Sequence, residues 1–217
     1  MAKVKTAYFC QNCGTQYSQW LGQCRNCGSW NTLVEEIVEK LKSPTYHILG
    51  EGKQKVVTIT DVEVNAEHRI KTPSEELNRV LGGGIVLGSV TLIGGEPGIG
   101  KSTLLLQLAL KMKKKILYVS GEESASQIKM RADRLTEIQN PNCFLYTETS
   151  VEKILSEAKK LHPDFVIIDS IQTLQSQLIE SSPGTVSQIR ECSSEVIKFA
   201  KETNIPVFLV GHITKDG

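Results

Sequence analysis

Residues 95–102, Gly-Glu-Pro-Gly-Ile-Gly-Lys-Ser, match the phosphate-binding loop pattern G-x-x-x-x-G-K-[ST] at every specified position. Glycines in such a loop let backbone N–H groups converge on an anion, because no Cβ obstructs the approach. The N-terminus of the helix that follows adds a positive partial charge. In this pattern Lys101 contacts the β- and γ-phosphates of a nucleotide, and the Ser102 hydroxyl binds Mg²⁺. The segment therefore predicts a site for a nucleoside triphosphate.

A second group of residues has the spacing of a metal site. Four of the six cysteines form two C-x-x-C-G knuckles and are Cys10, Cys13, Cys24 and Cys27. Four thiolates arranged as a tetrahedron suit Zn²⁺ and leave no open position for a substrate, which predicts a structural metal. Disulfides fit poorly with a reducing compartment, and a redox C-x-x-C would need one pair of cysteines rather than two matched pairs.

Aromatic residues lie between and beside the knuckles. Tyr17, Trp20 and Trp30 could stack on nucleic-acid bases or pack against the metal knuckles, and the sequence leaves both interpretations open. The two remaining cysteines, Cys143 and Cys192, stand alone in apolar or helical surroundings, which predicts small buried side chains.

Three further polar positions follow apolar runs typical of buried strands. Asp169 ends the run Phe-Val-Ile-Ile, so its carboxylate could hold Mg²⁺ together with Ser102, although an Asp after a strand can also cap a helix. Glu122 and Glu123 follow another strand, and either could act as general base for an attacking water; Glu122 is preferred because it is nearer the strand. His212 follows a third run, where it could contact the γ-phosphate.

These residues need a scaffold that brings them together, and the chain alternates apolar strand segments with helical segments. Alternation of this kind predicts a mostly parallel sheet with helices on both faces and ligands at the carboxyl ends of the strands. Residues 72–75, Thr-Pro-Ser-Glu, predict a capping box with Pro73 at the first helical position. The predicted strands are 32–38, 56–60, 90–93, 115–120, 143–146, 165–169 and 206–211, and the predicted helices are 75–81, one starting after the phosphate loop, 124–135, 150–161 and 185–203.

Composition and length limit the functional classes. The chain has 217 residues and a formal net charge of +1, so nucleic-acid contacts would need local patches or an oligomer. There is no apolar segment long enough for a membrane span and no signal region, which predicts a cytoplasmic protein without membrane contact. We expect a zinc module at 1–38, a linker at 39–55 and an ATPase domain at 56–217 that is incomplete at its C-terminal end.

Taken together, the motifs resemble those of the bacterial RadA (Sms) family of DNA repair proteins along the whole chain. The ATPase part is also similar to the wider RecA class, which includes replicative helicases and KaiC. The motifs that carry the resemblance are the four-cysteine module, Leu-Gly-Gly-Gly-Ile at 81–85, the loop at 94–103, Tyr-Val-Ser-Gly-Glu-Glu-Ser at 118–124, Ile-Asp-Ser-Ile-Gln-Thr at 168–173 and Gly-His-Ile-Thr-Lys at 211–215.

The resemblance implies a RecA-like ATPase that forms a hexameric ring on single-stranded and branched DNA. Such a motor drives branch migration of recombination intermediates beside the RecA recombinase, with ATP or ADP, Mg²⁺ and Zn²⁺ as cofactors. It implies that Asp169 is the Walker B acid, that Glu122 is the catalytic glutamate and that His212 begins a DNA-facing loop. The implied nucleotide-binding residues are Gly95, Glu96, Pro97, Gly98, Ile99, Gly100, Lys101, Ser102, Thr103 and Asp169, with Lys101 and His212 also counted as catalytic.

One departure from the family pattern limits these expectations. In the family the core continues into a Lys-Asn-Arg-Phe-Gly motif and a Lon-protease-like domain, and this chain stops before both. Without that basic motif, the charge on the transferred phosphoryl group lacks a partner. We therefore expect ATP binding with slow turnover, below about 1 per second, and ring assembly is left open. The alternatives are a KaiC-like nucleotide switch and an ATPase whose zinc module binds a partner protein without touching DNA.

Overall fold

The computed structural model describes residues 5–38, 58, 60, 69–135 and 140–212. Its first part is a small antiparallel sheet with the order β2-β1-β3, formed by β1 (Lys5–Cys10), β2 (Gln16–Tyr17) and β3 (Leu33–Val38). Among the residues described here, its buried cluster consists of Cys10, Cys24 and Leu33, with the partly buried Tyr8, Cys13, Tyr17 and Leu21 packed against it. Such a cluster buries too little apolar surface to hold a module together, which is the situation in which a structural metal replaces a core.

The second part is built on a five-stranded sheet in which all neighbouring strands run parallel. The strands are β6 (Val90–Gly95), β7 (Ile116–Ser120), β8 (Cys143–Thr147), β9 (Phe165–Asp169) and β10 (Val207–His212). Their order along the sheet is β6-β10-β9-β7-β8, so β10 lies between β6 and β9. A parallel neighbour requires a crossover connection, and helices supply it here.

Helices cover both faces of this sheet, as predicted. Alternate strand residues point to opposite faces. On one face Leu117, Val166 and Leu209 pack into a core with the buried sides of two helices, and on the other face Tyr118, Ile167 and Val210 pack with two different helices. The first pair of helices is α4 (Val151–Leu161) and α5 (Val186–Thr203), and the second pair is α2 (Lys101–Lys111) and α3 (Ala125–Leu135).

The predicted starts of α4 and α5 agree with the structure, and a polar side chain caps each of them. The Ser150 hydroxyl accepts from the backbone N–H of Lys153 at the start of α4, and Thr185 does the same for Gln188 at the start of α5. A cap of this kind satisfies one of the backbone donors that a helix start leaves unpaired. The positions of these side chains therefore explain why the sequence predicted both helix starts.

A small two-stranded element precedes the large sheet, and here one prediction was wrong. Strands β4 (Arg69–Ile70) and β5 (Ile85–Val86) flank helix α1 (Glu75–Val80). Pro73 is not the first helical residue, because Ser74 is the N-cap and its hydroxyl accepts from the N–H of Leu77. The Thr72 hydroxyl accepts instead from the N–H of Ser74, so it fixes the turn before the helix.

Other predictions need adjustment at their ends. Of the strand predicted at 56–60, the structure describes only Thr58 and Thr60, and neither lies in a strand. The predicted linker at 39–55 lies outside the described residues. Strand β10 extends to His212, so this residue ends the strand and does not follow it. Cys192 is buried as predicted, whereas Cys143 is only partly buried because β8 is at the edge of the sheet.

The two parts of the chain approach each other closely at Gly14. A Cβ added at Gly14, in the first knuckle, would lie 2.7 Å from Cγ1 of Val186 in α5. Only a residue without a side chain permits this approach, and its φ of +69° also favours glycine. Among the described residues no helix is long and apolar enough to cross a membrane.

Candidate nucleotide site and candidate metal centre

The carboxyl ends of the central strands bring the predicted residues to one edge of the sheet. Ser120 is the register partner of Asp169, and His212 is the register partner of Gly95. Glu122 lies two residues beyond the end of β7. Parallel pairing fixes these neighbours because aligned strands end at the same edge. The phosphate loop therefore lies at the same edge as Glu122, Asp169 and His212.

The loop itself has the backbone of an anion site. Gly98 and Gly100 have φ values of +80° and +97°, which non-glycine residues rarely adopt. Gly100 is the N-cap of α2 and provides no side-chain acceptor, so the first N–H groups of the helix have no capping side chain. Unpaired N–H groups at a helix start bind phosphate oxygens well. Ser102 lies in the first turn of α2, and Thr103 follows it.

Lys101 is held by the loop in this structure. Its side chain is only 7% exposed, and its Nζ donates to the carbonyl oxygens of Gly95 and Glu96, each at 2.8 Å. The same Nζ lies 3.3 Å from Nδ1 of His212. Ile99 closes over the loop, since a Cβ at Gly95 would meet its Cδ1 at 2.5 Å. The ammonium group is therefore inside the loop, where an arriving phosphate could replace the carbonyl partners.

Asp169 is nearly buried at the end of β9 and is oriented by a tyrosine. The hydroxyl of Tyr118, which is fully buried, donates to Oδ2 of Asp169 at 2.8 Å. Burial and the charge of Asp169 both raise the pKa of the Tyr118 hydroxyl above its ordinary value. The tyrosine therefore stays protonated and acts as a fixed donor, which leaves Oδ1 of the carboxylate for other partners.

The two adjacent glutamates have different partners. Glu123 forms an ion pair with Arg131 of α3 at 2.7 Å, and its backbone N–H donates to the Ser120 hydroxyl. Glu122 points the other way: its Oε1 accepts from the Ser170 hydroxyl at 2.9 Å and lies 3.8 Å from Nε2 of His212. Only Glu122 is therefore directed toward the side chains around Lys101.

His212 contacts both charged neighbours. One ring nitrogen lies near the Lys101 ammonium and the other near the Glu122 carboxylate. The contact of Nδ1 with Nζ of Lys101 is the shorter one, at 3.3 Å, whereas Nε2 is 3.8 Å from Oε1 of Glu122, which is beyond hydrogen-bond distance. The backbone carbonyl of His212 accepts from the Gln172 amide at 3.2 Å. The loop expected to follow His212, at 213–217, lies outside the described residues.

The four knuckle cysteines converge on one point. Their Sγ atoms all lie within 4.8 Å of one another, and the pairs Cys10–Cys27 and Cys13–Cys24 are each separated by 3.6 Å. A tetrahedral zinc site with bonds of about 2.3 Å places its sulfurs about 3.8 Å apart. The donor set and its size therefore fit Zn²⁺ held by four thiolates.

Backbone and hydroxyl donors surround the sulfurs. Hydrogen bonds with the side chain and the backbone of Ser29 lower the pKa of Cys27 to about 5, and a hydrogen bond with Thr15 lowers the pKa of Cys13. Burial raises the pKa of Cys10. Donors directed at sulfur favour the thiolate, which is the form that binds metal. The knuckles thus favour the metal-binding form at two of the four positions.

The aromatic residues of the module divide into two types. The hydroxyl of Tyr17 lies 3.3 Å from Sγ of Cys24 and accepts from the N–H of Asn26, so Tyr17 packs against the second knuckle. Trp20 and Trp30 are 54% and 69% exposed. Each ring approaches Gly22, with one atom at 3.7 Å (Trp20) or 3.9 Å (Trp30) from the position of an added Cβ. Of the two interpretations left open by the sequence, packing against a knuckle therefore applies to Tyr17, and both remain open for the tryptophans.

Several residues of the site were missed by sequence reasoning. Each of them contacts a predicted residue, and they are Tyr118, Ser170, Gln172 and Arg131. A signal existed for two of them: a tyrosine inside an otherwise apolar strand needs a partner for its hydroxyl, and a serine directly after Asp169 lies at the same strand end.

Comparisons with known proteins agree with this architecture. Residues 55–217 match the family described as an AAA domain, and residues 8–35 match a rubredoxin metal-binding domain. A DnaB-like replicative helicase, solved in a study of its interactions with primase, superposes with a TM-score of 0.54 at 19% identity, over 64% of this chain and 42% of the helicase. At that identity the likeness concerns the fold alone.

Relatives among curated proteins are called DNA repair protein RadA. The protein of Bacillus subtilis (strain 168) is 48% identical over 223 residues, and that of Streptococcus pyogenes serotype M1 is 50% identical over 220. Each comparison covers 100% of this chain and 48% of the relative, so the chain spans about half the length of these relatives. The AAA domain match covers most of the chain and the similarity to RadA covers all of it, and the chain therefore belongs to the AAA domain family as a RadA homologue.

Proposed function

We propose that this chain binds ATP with Mg²⁺ and hydrolyses it slowly, as part of a DNA-dependent ATPase of DNA repair and recombination. The observation that carries the proposal is the buried Lys101 inside a phosphate loop whose helix start has no side-chain cap. The relatives named as DNA repair proteins support the choice of process. The division into a zinc module at 1–38, a linker and an ATPase domain from 56 is part of the same proposal.

In this proposal the phosphates of ATP replace the carbonyl partners of Lys101. Its ammonium group then neutralises charge on the β- and γ-phosphates while the N–H groups of the loop donate to their oxygens. Ser102 and Asp169 would hold Mg²⁺, with Asp169 oriented by Tyr118. The ion, when bound, neutralises the charge that develops on the phosphate oxygens.

Glu122 is the proposed general base, in preference to Glu123. What supports this choice is that the Glu123 carboxylate is paired with Arg131, whereas the Glu122 carboxylate is 53% exposed and lies beside His212. A base must reach the water that attacks the γ-phosphate. His212 contacts both Lys101 and Glu122, and this supports a role in sensing whether the γ-phosphate is present.

We also propose, from the homologues, that the protein binds single-stranded and branched DNA, forms a hexameric ring, drives branch migration and cooperates with the RecA recombinase. By the same inference, the protein is proposed to act in the cytoplasm. The zinc module is proposed as a structural unit whose exposed Trp20 and Trp30 are available for contact with DNA or protein.

The first test is anisotropy of labelled single-stranded DNA with the chain alone, with ADP and with a non-hydrolysable ATP analogue. We expect the analogue to tighten DNA binding, and Lys101→Ala to abolish this tightening. The variant should also weaken nucleotide binding by about 10- to 100-fold, since a lost hydrogen bond to a charged group costs about 1.5–3 kcal/mol. Lys111→Ala, an exposed lysine at the other end of α2, is the matched control.

Three results would contradict the proposal or a part of it. Nucleotide affinity unchanged by Lys101→Ala would remove the proposed phosphate site. Nucleotide binding without any DNA binding would instead favour a nucleotide switch or an ATPase that acts through a protein partner. Turnover of about 1 per second or faster would contradict the expected slow hydrolysis.

A further inference from the structure

The side chain of Glu122 is half exposed, yet one of its oxygens has a fixed position. Ser170 donates to this oxygen at 2.9 Å, and Ser170 itself is completely buried. The His212 ring is more distant, at 3.8 Å. A glutamate on a surface loop samples many rotamers, and holding it in one of them costs entropy unless a rigid neighbour provides a contact. Ser170 is such a neighbour.

The hydroxyl of Ser170 can donate to Glu122 because the backbone at Ser170 is held by hydrogen bonds that do not involve this hydroxyl. Its carbonyl accepts from both the N–H and the hydroxyl of Thr173, in a short 3-10 helix (Ile171–Thr173). The turn also packs against residues 121–123, the glutamate loop, since a Cβ at Gly121 would lie 2.1 Å from Oγ1 of Thr173. The donor and the acceptor therefore belong to one packed unit.

The glutamate loop is fixed on its other side too. The N–H of Gly121 donates to the carbonyl of Asp169 at 3.1 Å, and Glu123 is anchored by Ser120 and Arg131. The backbone on both sides of Glu122 is thus held, and the direction of its carboxylate depends on its side-chain contacts alone. Ser170 makes the shortest of these contacts.

We propose that Ser170 is a positioning residue for Glu122, which directs the carboxylate toward the space beside Lys101 and His212. The proposal rests on the proposed ATPase function and adds a residue to it. Ser170 does not touch the nucleotide in this scheme, so it acts on turnover and not on affinity. Displacing a catalytic group by about 1 Å can cost on the order of 100-fold in rate.

The test compares single-turnover ATP hydrolysis by the 217-residue chain, in excess over labelled ATP, for Ser170→Ala, Glu122→Ala and the double variant. We expect Ser170→Ala to lower the rate about 10- to 100-fold while the nucleotide dissociation constant stays within about twofold. We expect no further loss when Ser170→Ala is added to Glu122→Ala, because the group that it positions is already gone. Ser170→Cys, which keeps the volume and a weaker donor, should have an intermediate rate.

Ser176 provides a matched control. It is also a buried serine, and its hydroxyl donates to a different glutamate, Glu152, at 2.8 Å. Ser176→Ala removes the same kind of hydrogen bond away from the proposed site, so it should leave the hydrolysis rate unchanged.

Three outcomes would overturn the proposal. The first is an equal loss from Ser170→Ala with and without Glu122, and the second is an equal loss from Ser176→Ala; either would indicate a structural role. The third is a normal rate for Ser170→Ala alongside inactive Glu122→Ala, which would leave the proposed ATPase function intact. If Glu122→Ala hydrolyses ATP normally, the general base of the proposed function is wrong as well.

Discussion

The zinc module and the nucleotide site solve the same problem, holding several polar groups at one point, in opposite ways. The module takes its four cysteine ligands from two turns between Cys10 and Cys27. The stability of this predicted site depends on the bound metal. The nucleotide site takes groups from residues 95 to 212 and relies on a sheet with cores on both faces. We therefore expect loss of one ligand to unfold the whole zinc module, whereas loss of one side chain should weaken the nucleotide site only in part.

The strongest way to break the comparison is to remove a zinc ligand. Cys24→Ser replaces a buried thiolate, and we expect the module to lose zinc and its fold while the ATPase part stays folded. Structural zinc contributes on the order of 10 kcal/mol to folding. Zinc content by atomic spectroscopy and amide spectra by NMR measure both effects. Cys143→Ser, outside the module, is the control and should keep its zinc, and a zinc-loaded Cys24→Ser would refute the four-thiolate site.

Cysteine alkylation should separate the two regions next. Burial raises the pKa of Cys192 to about 12 and that of Cys143 to about 11, so both remain neutral thiols at pH 8. The thiolate is the reactive form, so at pH 8 about one Cys192 in 10,000 is reactive. We expect a chelator to expose four fast-reacting cysteines to iodoacetamide, counted by mass spectrometry, while these two react slowly. Cys143 should react faster as the pH rises toward 11, and rapid labelling of Cys192 at pH 8 would contradict its burial.

A smaller effect is expected inside the nucleotide site. Tyr118→Phe removes the hydroxyl that donates to Asp169, and it leaves a nearly buried carboxylate without that donor. The loss should lower the free energy of unfolding by about 1–3 kcal/mol, measured by urea denaturation, with zinc content unchanged. Tyr146→Phe, on the neighbouring strand β8, serves as control. A variant as stable as the parent would mean that this hydrogen bond does not stabilise the site.

The smallest effect is expected on the surface. Lys129 and Asp133 form an ion pair one turn apart on α3, and both side chains are about half exposed. Such pairs contribute only about 0.3–0.5 kcal/mol. Asp133→Asn should therefore change stability by less than Tyr118→Phe, in the same urea measurement. A loss above about 1 kcal/mol would show that the pair belongs to a larger network.

Much of this protein was predictable where the information is local. The strand and helix around the phosphate loop, the two knuckles and the helix start after Ser150 depend on residues a few positions apart, and each is found where the sequence predicted it. The fold class was predictable for a related reason, because strands buried on both faces are apolar throughout. The error at Pro73 arose because two polar residues on either side of it, Thr72 and Ser74, can both cap a helix, and only the backbone decides which one does.

What the tertiary structure decided is how distant residues meet. The strand order places β10 between β6 and β9, and this brings His212 to Lys101, 111 residues earlier in the chain. The separate partners of Glu122 and Glu123 likewise depend on Ser170 and Arg131, which lie on other elements. Local patterns fix which residues have the chemistry, because backbone geometry and metal coordination act over a few residues. The register and order of the strands fix which of them act together, because these depend on packing of the whole sheet.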